Sequence, residues 1–136
     1  MVAMLQPNCR SVGRFTPLIQ LNHYETWLEH FREDVPHMTY CGEVAKLQIQ
    51  LNRFFLREQP AGSLIDSYVK PWTEVQANPE VITIHMDQCM AGQMADTGRP
   101  IQTHTEWTST SKVLVLPLQQ RFQCDKSHGH CTPNTT

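Results

Sequence analysis

Residues 53–60, Arg-Phe-Phe-Leu-Arg-Glu-Gln-Pro, place three large apolar side chains in a row and then stop at Glu-Gln-Pro. That pattern predicts an interior strand running into a polar turn. The residues before it make it constraining. Asp34 can cap a helix, Pro36 suits a first helical turn, and Tyr40, Val44, Leu47 and Leu51 recur at spacings of four, three and four, so a helix is expected from about Pro36 to Asn52. No residues remain for a long loop, so the helix must fold back and deliver Phe54, Phe55 and Leu56 into a sheet.

The rest of the chain repeats this helix-then-strand order. Met1 to Leu5 is a short apolar run ending at Gln6-Pro7-Asn8-Cys9, as expected of a buried strand. Asn22 and Glu25 resemble a capping pair ahead of a short helix carrying Tyr24, Trp27, Leu28 and Phe31 on one face. Pro71 to Val75 predicts another short helix, and Val81 to Met86 is β-branched enough for a strand. Residues 87–110 hold Gly92 and Thr97-Gly98-Arg99-Pro100 before Thr-Glu-Trp-Thr-Ser-Thr, a loop or hairpin signal followed by a strand. Val113 to Leu116 fits strand or helix, and Pro117 interrupts either. The expected fold is α/β: a partial doubly wound, Rossmann-like open sheet, mostly parallel, with a C-terminal hairpin and an irregular tail. It is organised as one domain over residues 1–125 and a flexible polar tail over residues 126–136.

With 136 residues, 40% hydrophobic and 18% charged, the chain has material for one modest core. A formal net charge of −2 gives no global basic field to draw it to nucleic acid or to an anionic membrane, so any nucleic-acid contact has to be local. No apolar run approaches the roughly 20 residues needed to span a bilayer. The opening Met-Val-Ala-Met-Leu-Gln-Pro is too short and polar for a signal peptide. An intracellular protein, cytoplasmic or nuclear and without a membrane partner, is expected. Five scattered cysteines are an odd set, which fits reduced thiols or metal ligands better than a disulfide framework.

The densest cluster of metal-ligand types is Cys124-x-x-x-His128-x-His130-Cys131. Zinc wants four thiolates or imidazoles arranged tetrahedrally. Adjacent His130 and Cys131 cannot both reach one ion without an unusual backbone, so Cys89 is the candidate fourth ligand beside Cys124, His128 and His130. The competing reading is a solvated, His-rich tail. His23, His30, His37, His85 and His104 read as ordinary surface or strand residues. Trp27, Phe31, Tyr40 and Leu51 at helical spacing read as core rather than as an aromatic platform for bases. Arg53, Arg57 and Lys70 are too few for a nucleic-acid patch, and Arg57 is placed to pair with its neighbour Glu58 at the strand end.

Several fragments, taken in order, resemble a domain of copia-like retroelement polyproteins that is itself similar to a diverged DNA cytosine methyltransferase. They are Pro7-Asn8-Cys9, Cys41-Gly42-Glu43-Val44-Ala45, Phe54 to Pro60, Asp87-Gln88-Cys89, Gly98-Arg99-Pro100, Thr105-Glu106-Trp107, and Cys124-Asp125 with His128 and His130. The resemblance implies an incomplete, methyltransferase-like α/β domain, the C-terminal half of such a fold. It implies Cys9 as the thiolate that attacks the cytosine ring and Glu58 as the acid that protonates a ring nitrogen. The target base would be flipped out of its duplex. S-adenosylmethionine would come with an upstream half, since no glycine-rich donor turn precedes Cys9, and this chain would hold no cofactor of its own apart from zinc.

The chain departs from the pattern at Asn8, at Gln59, and at Gln102 and His104, where a basic pair is absent. The expected function is therefore a non-catalytic or decayed retroelement-derived domain with a vestigial base-binding crevice, inactive alone. Its partners would be nucleic acid or an upstream polyprotein domain. The alternatives are one half of a working cytosine methyltransferase and a small zinc-stabilised interaction module. Gln59, Asp87 and Gln88 are expected to line the same crevice as Cys9 and Glu58, because open α/β sheets put their sites at strand ends. Against these roles stand plainer ones: Cys9 as a small buried hydrophobe, Glu58 and Asp87 as caps of neighbouring turns, and Cys89 as packing.

Overall fold

The computed structural model describes residues 1–101 and 103–130, so Gln102 and Cys131 lie outside it. The chain runs β1 (Val2–Leu5), α1 (Thr16–Asn22), α2 (Tyr24–Gln50), β2 (Phe54–Pro60), α3 (Ile65–Tyr68), α4 (Lys70–Gln76), β3 (Ile82–Asp87), β4 (His104–Ser109) and α5 (Lys112–Arg121). A single 3₁₀ turn, Gln88–Ala91, follows β3. No described helix is long and apolar enough to cross a membrane.

The strands form one sheet in the order β1-β2-β4-β3. Only β1 and β2 pair in parallel, while β4 is antiparallel to β2 on one side and to β3 on the other. This corrects the expected mostly parallel, Rossmann-like sheet: the sheet is mixed. The cause is the Thr-rich strand β4, which runs antiparallel to β3 beside it and lies between β3 and β2. Thr108 bonds in both directions there. Its hydroxyl accepts from Arg57 Nη2 at 3.1 Å and shares a hydrogen bond with the Thr83 hydroxyl at 2.8 Å.

Period-two alternation sorts β2 between the two faces. Phe55, Arg57 and Gln59 are buried on the face covered by α2, α3 and α4, whereas Leu56 and Glu58 turn to the other face. The main core lies on the helical side, where Leu5, Phe55, Met38, Ala45, Ile65 and Trp72 pack together. On the opposite face α5 covers only the β3–β4 half, setting Val115 among buried Ile84 and Met86.

Arg57 is fully buried on the core side and does not pair with Glu58 as expected, because consecutive strand residues point to opposite faces. It grips Asp66 through both terminal nitrogens, at 2.6 and 3.3 Å, and its guanidinium lies 4.4 Å from the Trp72 ring centroid. The polar turn expected at Glu-Gln-Pro is also displaced: β2 runs on through Pro60, and the turn follows it.

The two expected helices on either side of Pro36 are one helix, with Pro36 inside it. Asp34 is not its cap. It is buried and accepts hydrogen bonds from Arg10 at 2.8 Å and Ser11 at 3.0 Å, which tie the middle of α2 to the loop after β1. The buried face is also rotated from the expected one. Asp34, Met38, Cys41, Ala45 and Gln48 are buried, while Tyr40, Leu47 and Leu51 are exposed. Small residues explain the rotation: a Cβ on Gly42 would come within 2.7 Å of Pro71 Cβ, and Trp72 Nε1 donates to the Met38 carbonyl at 3.0 Å. Helix α4 needs this close approach, and the large apolar side chains of α2 are excluded from it.

Candidate functional site

The C-terminal ends of β1, β2 and β3 lie at one end of the sheet, but they do not share a crevice. Strand β4 stands between β2 and β3, and two strand spacings amount to about 10 Å. Two separate sites result.

The first is an open groove of about 790 Å³ at the parallel pair, where Gln6, Asn8, Cys9, Arg10, Asp34 and Glu58 meet. Glu58 accepts a hydrogen bond from Gln6 Nε2 at 3.0 Å. The Cys9 thiol is pushed up from its ordinary value first by burial and then by the charge of Glu58. The carboxylate that the resemblance casts as the acid therefore adds to the effect of burial and raises the neighbouring thiol further. Gln59 borders the same groove, as expected, and is largely buried: Nε2 donates to the Pro7 carbonyl at 2.8 Å, and Oε1 accepts from the Ser63 hydroxyl at 3.0 Å. These bonds brace the β1 and β2 ends against the following turn.

The second site lies beyond β4. Cys89, Cys124, His128 and His130 each bring one ligand atom into a group whose members all lie within 4.8 Å of one another. Cys89 is buried in the 3₁₀ turn that leaves β3. The other three come from the segment after α5, which returns along the outer edge of β3. Asp87 N–H donates to the Phe122 carbonyl at 2.7 Å, and Gln123 Nε2 donates to the His85 carbonyl at 2.7 Å.

Asp87 fixes the second ligand in place. Its Oδ2 accepts the Cys124 backbone N–H at 2.6 Å, and its Oδ1 is hydrogen-bonded to His104 Nδ1. The Asp87 carboxyl is held below the usual carboxylate range, with the Cys124 amide and His104 overcoming the upward push of burial. Gln88 donates to Thr105 Oγ1 on β4 at 2.7 Å. Asp87 therefore serves the second site, and neither it nor Gln88 lines the Cys9–Glu58 groove.

The geometry fits a tetrahedral ion. With Zn–S near 2.3 Å and Zn–N near 2.0 Å, a cysteine sulfur and a histidine nitrogen on one tetrahedral centre stand about 3.5 Å apart. Cys124 Sγ lies 3.5 Å from His130 Nε2 and 3.8 Å from His128 Nε2. His128 Nδ1 lies 3.8 Å from Asp125 Oδ1, a contact too long for a hydrogen bond. Burial, and then the neighbouring Cys124 side chain, push the Cys89 thiol up to about 11. Together these groups form a Cys₂His₂ cluster that could hold a metal ion.

The sequence supplied all four members of the cluster but not the role of Asp87. No local pattern announces a carboxylate that accepts an amide N–H from a residue 37 positions later. Arg10 and Asp34 in the groove were also missed, since their pairing depends on how α2 packs against the loop after β1. The chain matches no protein-family model, no curated protein and no solved structure, so its functional reading rests on these side chains.

Proposed function

We propose that this chain is a zinc-stabilised, non-catalytic domain in which Cys89, Cys124, His128 and His130 bind one Zn²⁺. The ion would fasten the segment after α5 to the end of β3. The carrying observation is the convergence of four ligand atoms within 4.8 Å of one another from two distant segments. A two-sulfur, two-nitrogen donor set favours zinc over the hard, oxygen-preferring cations. All four ligands also fall in the fragments that resemble the copia-like polyprotein domain. A retroelement-type ancestry is part of the same proposal and rests on that resemblance alone. Zinc titration of the purified chain tests the reading: one ion per chain is expected, with melting lowered by a chelator.

The second reading, half of a cytosine methyltransferase, has one observation in its favour. Cys9 and Glu58 line a single groove at the ends of the parallel pair. It requires a covalent adduct with a fluorinated cytosine substrate that is lost in Cys9→Ser. No adduct in the presence of an upstream donor-binding half would end it.

A further inference from the structure

The two sulfurs of the metal cluster are unequal in a way that bears on oxidation. Cys89 is buried under the 3₁₀ turn, while Cys124 is half-exposed. Both border a cavity of about 290 Å³ that also meets Asp87, His104, Lys126 and His130. Their sulfur atoms lie within 4.8 Å of each other. A disulfide holds its sulfurs about 2.05 Å apart, so the two side chains must move together to join.

We infer that Cys89 and Cys124 form a modification site for hydroperoxides, in which two-electron oxidation joins them as a disulfide and releases the metal. This rests on the zinc reading for its metal step, though not for its sulfur step. Cys124 Sγ, the accessible sulfur, attacks the terminal peroxide oxygen. The O–O bond breaks, an alcohol or water leaves, and Cys124 becomes a sulfenic acid. Cys89 Sγ then attacks the Cys124 sulfur and displaces its oxygen as water. Overall, two thiolates, one hydroperoxide and two protons give one disulfide, one alcohol and one water; the sulfurs supply the two electrons that reduce the peroxide. With both sulfurs removed from its shell, the ion keeps only His128 and His130 and dissociates. Cys9 and Cys41 lie on other elements, at the β1 end and on α2, and take no part.

The test uses the full chain, with and without bound zinc, treated with hydrogen peroxide. Released zinc is read with a chromophoric chelator, and the disulfide is assigned by peptide mass mapping. Expected are a Cys89–Cys124 disulfide in both samples, one zinc released per disulfide, and recovery of zinc binding after reduction. Cys131→Ser should behave like the parent. Oxidation that stops at Cys124 sulfinic acid, a link to Cys131 in place of Cys89, or intact thiols in both samples would overturn the proposal. If the chain takes up no zinc, the zinc reading fails, and the disulfide in the metal-free sample still decides the sulfur step.

Discussion

Asp87 Oδ2 accepts the backbone N–H of Cys124 at 2.6 Å, joining the last residue of β3 to the first ligand of the C-terminal segment. One carboxylate thereby links the sheet to the Cys₂His₂ cluster, and its second oxygen is held by His104. The cluster is built on a strand end, which fixes position better than a free loop does.

Replacing Asp87 with alanine should therefore weaken zinc binding by about 10–100-fold, the usual cost of losing an outer-shell partner. Competition against a chelator of known affinity measures this. Unchanged affinity would show that Cys124 is positioned by the ion alone.

Arg57 has no exposed surface and faces Asp66 and Glu106 across the core. Arg57→Ala leaves those carboxylates without their cation and empties the space over Trp72, so it should cost about 3–5 kcal/mol in urea unfolding. Arg57→Met keeps the volume and should cost less.

Burial raises the Glu106 carboxyl above its ordinary value, against the opposing pull of Arg57 and His85, each 3.7 Å away. A carboxyl raised in the folded state binds its proton more tightly there than in the unfolded chain. Its contribution is fully present below the unfolded value and is lost as pH rises through the folded one. Glu106→Gln should remove that loss, so the stability of the parent falls relative to the variant as pH rises through this window. Parallel pH profiles for the two proteins would contradict the assignment.

Gly42→Ala places a methyl group within 2.7 Å of Pro71 Cβ. Overpacking of this kind costs about 1–3 kcal/mol, and it should appear as a lower melting temperature even though alanine is the better helix former.

The Cys9 thiol is raised by burial and by Glu58, so Glu58→Gln should bring it down and speed its alkylation at mildly alkaline pH. Mass mapping of Cys9 reads the rate. An unchanged or slower rate would show that Glu58 does not reach the sulfur electrostatically.

The strand at Phe54–Pro60 was legible because three large apolar residues in a row have few other places to go. The Cys₂His₂ cluster was legible for a stereochemical reason: His130 and Cys131 are adjacent and cannot both reach one ion, which leaves Cys89 as the fourth member. Strand order was not legible. It depends on where His104–Ser109 inserts, and that is decided by long-range partners such as Arg57 and Thr83 on either side of Thr108. The buried face of α2 was misread because spacing arguments follow large side chains, whereas Gly42 and Ala45 mark where α4 comes close. The single crevice expected for Cys9, Glu58 and Asp87 failed with the strand order, since it assumed parallel neighbours.

The most direct test of the central claim is the metal content of the purified chain by elemental analysis, with melting followed before and after chelation. One zinc per chain, lost in a Cys124→Ser, His130→Ala double variant and accompanied by a lower melting temperature in chelator, is the predicted result. A metal-free chain that takes up no zinc on titration and melts identically with and without chelator would contradict it.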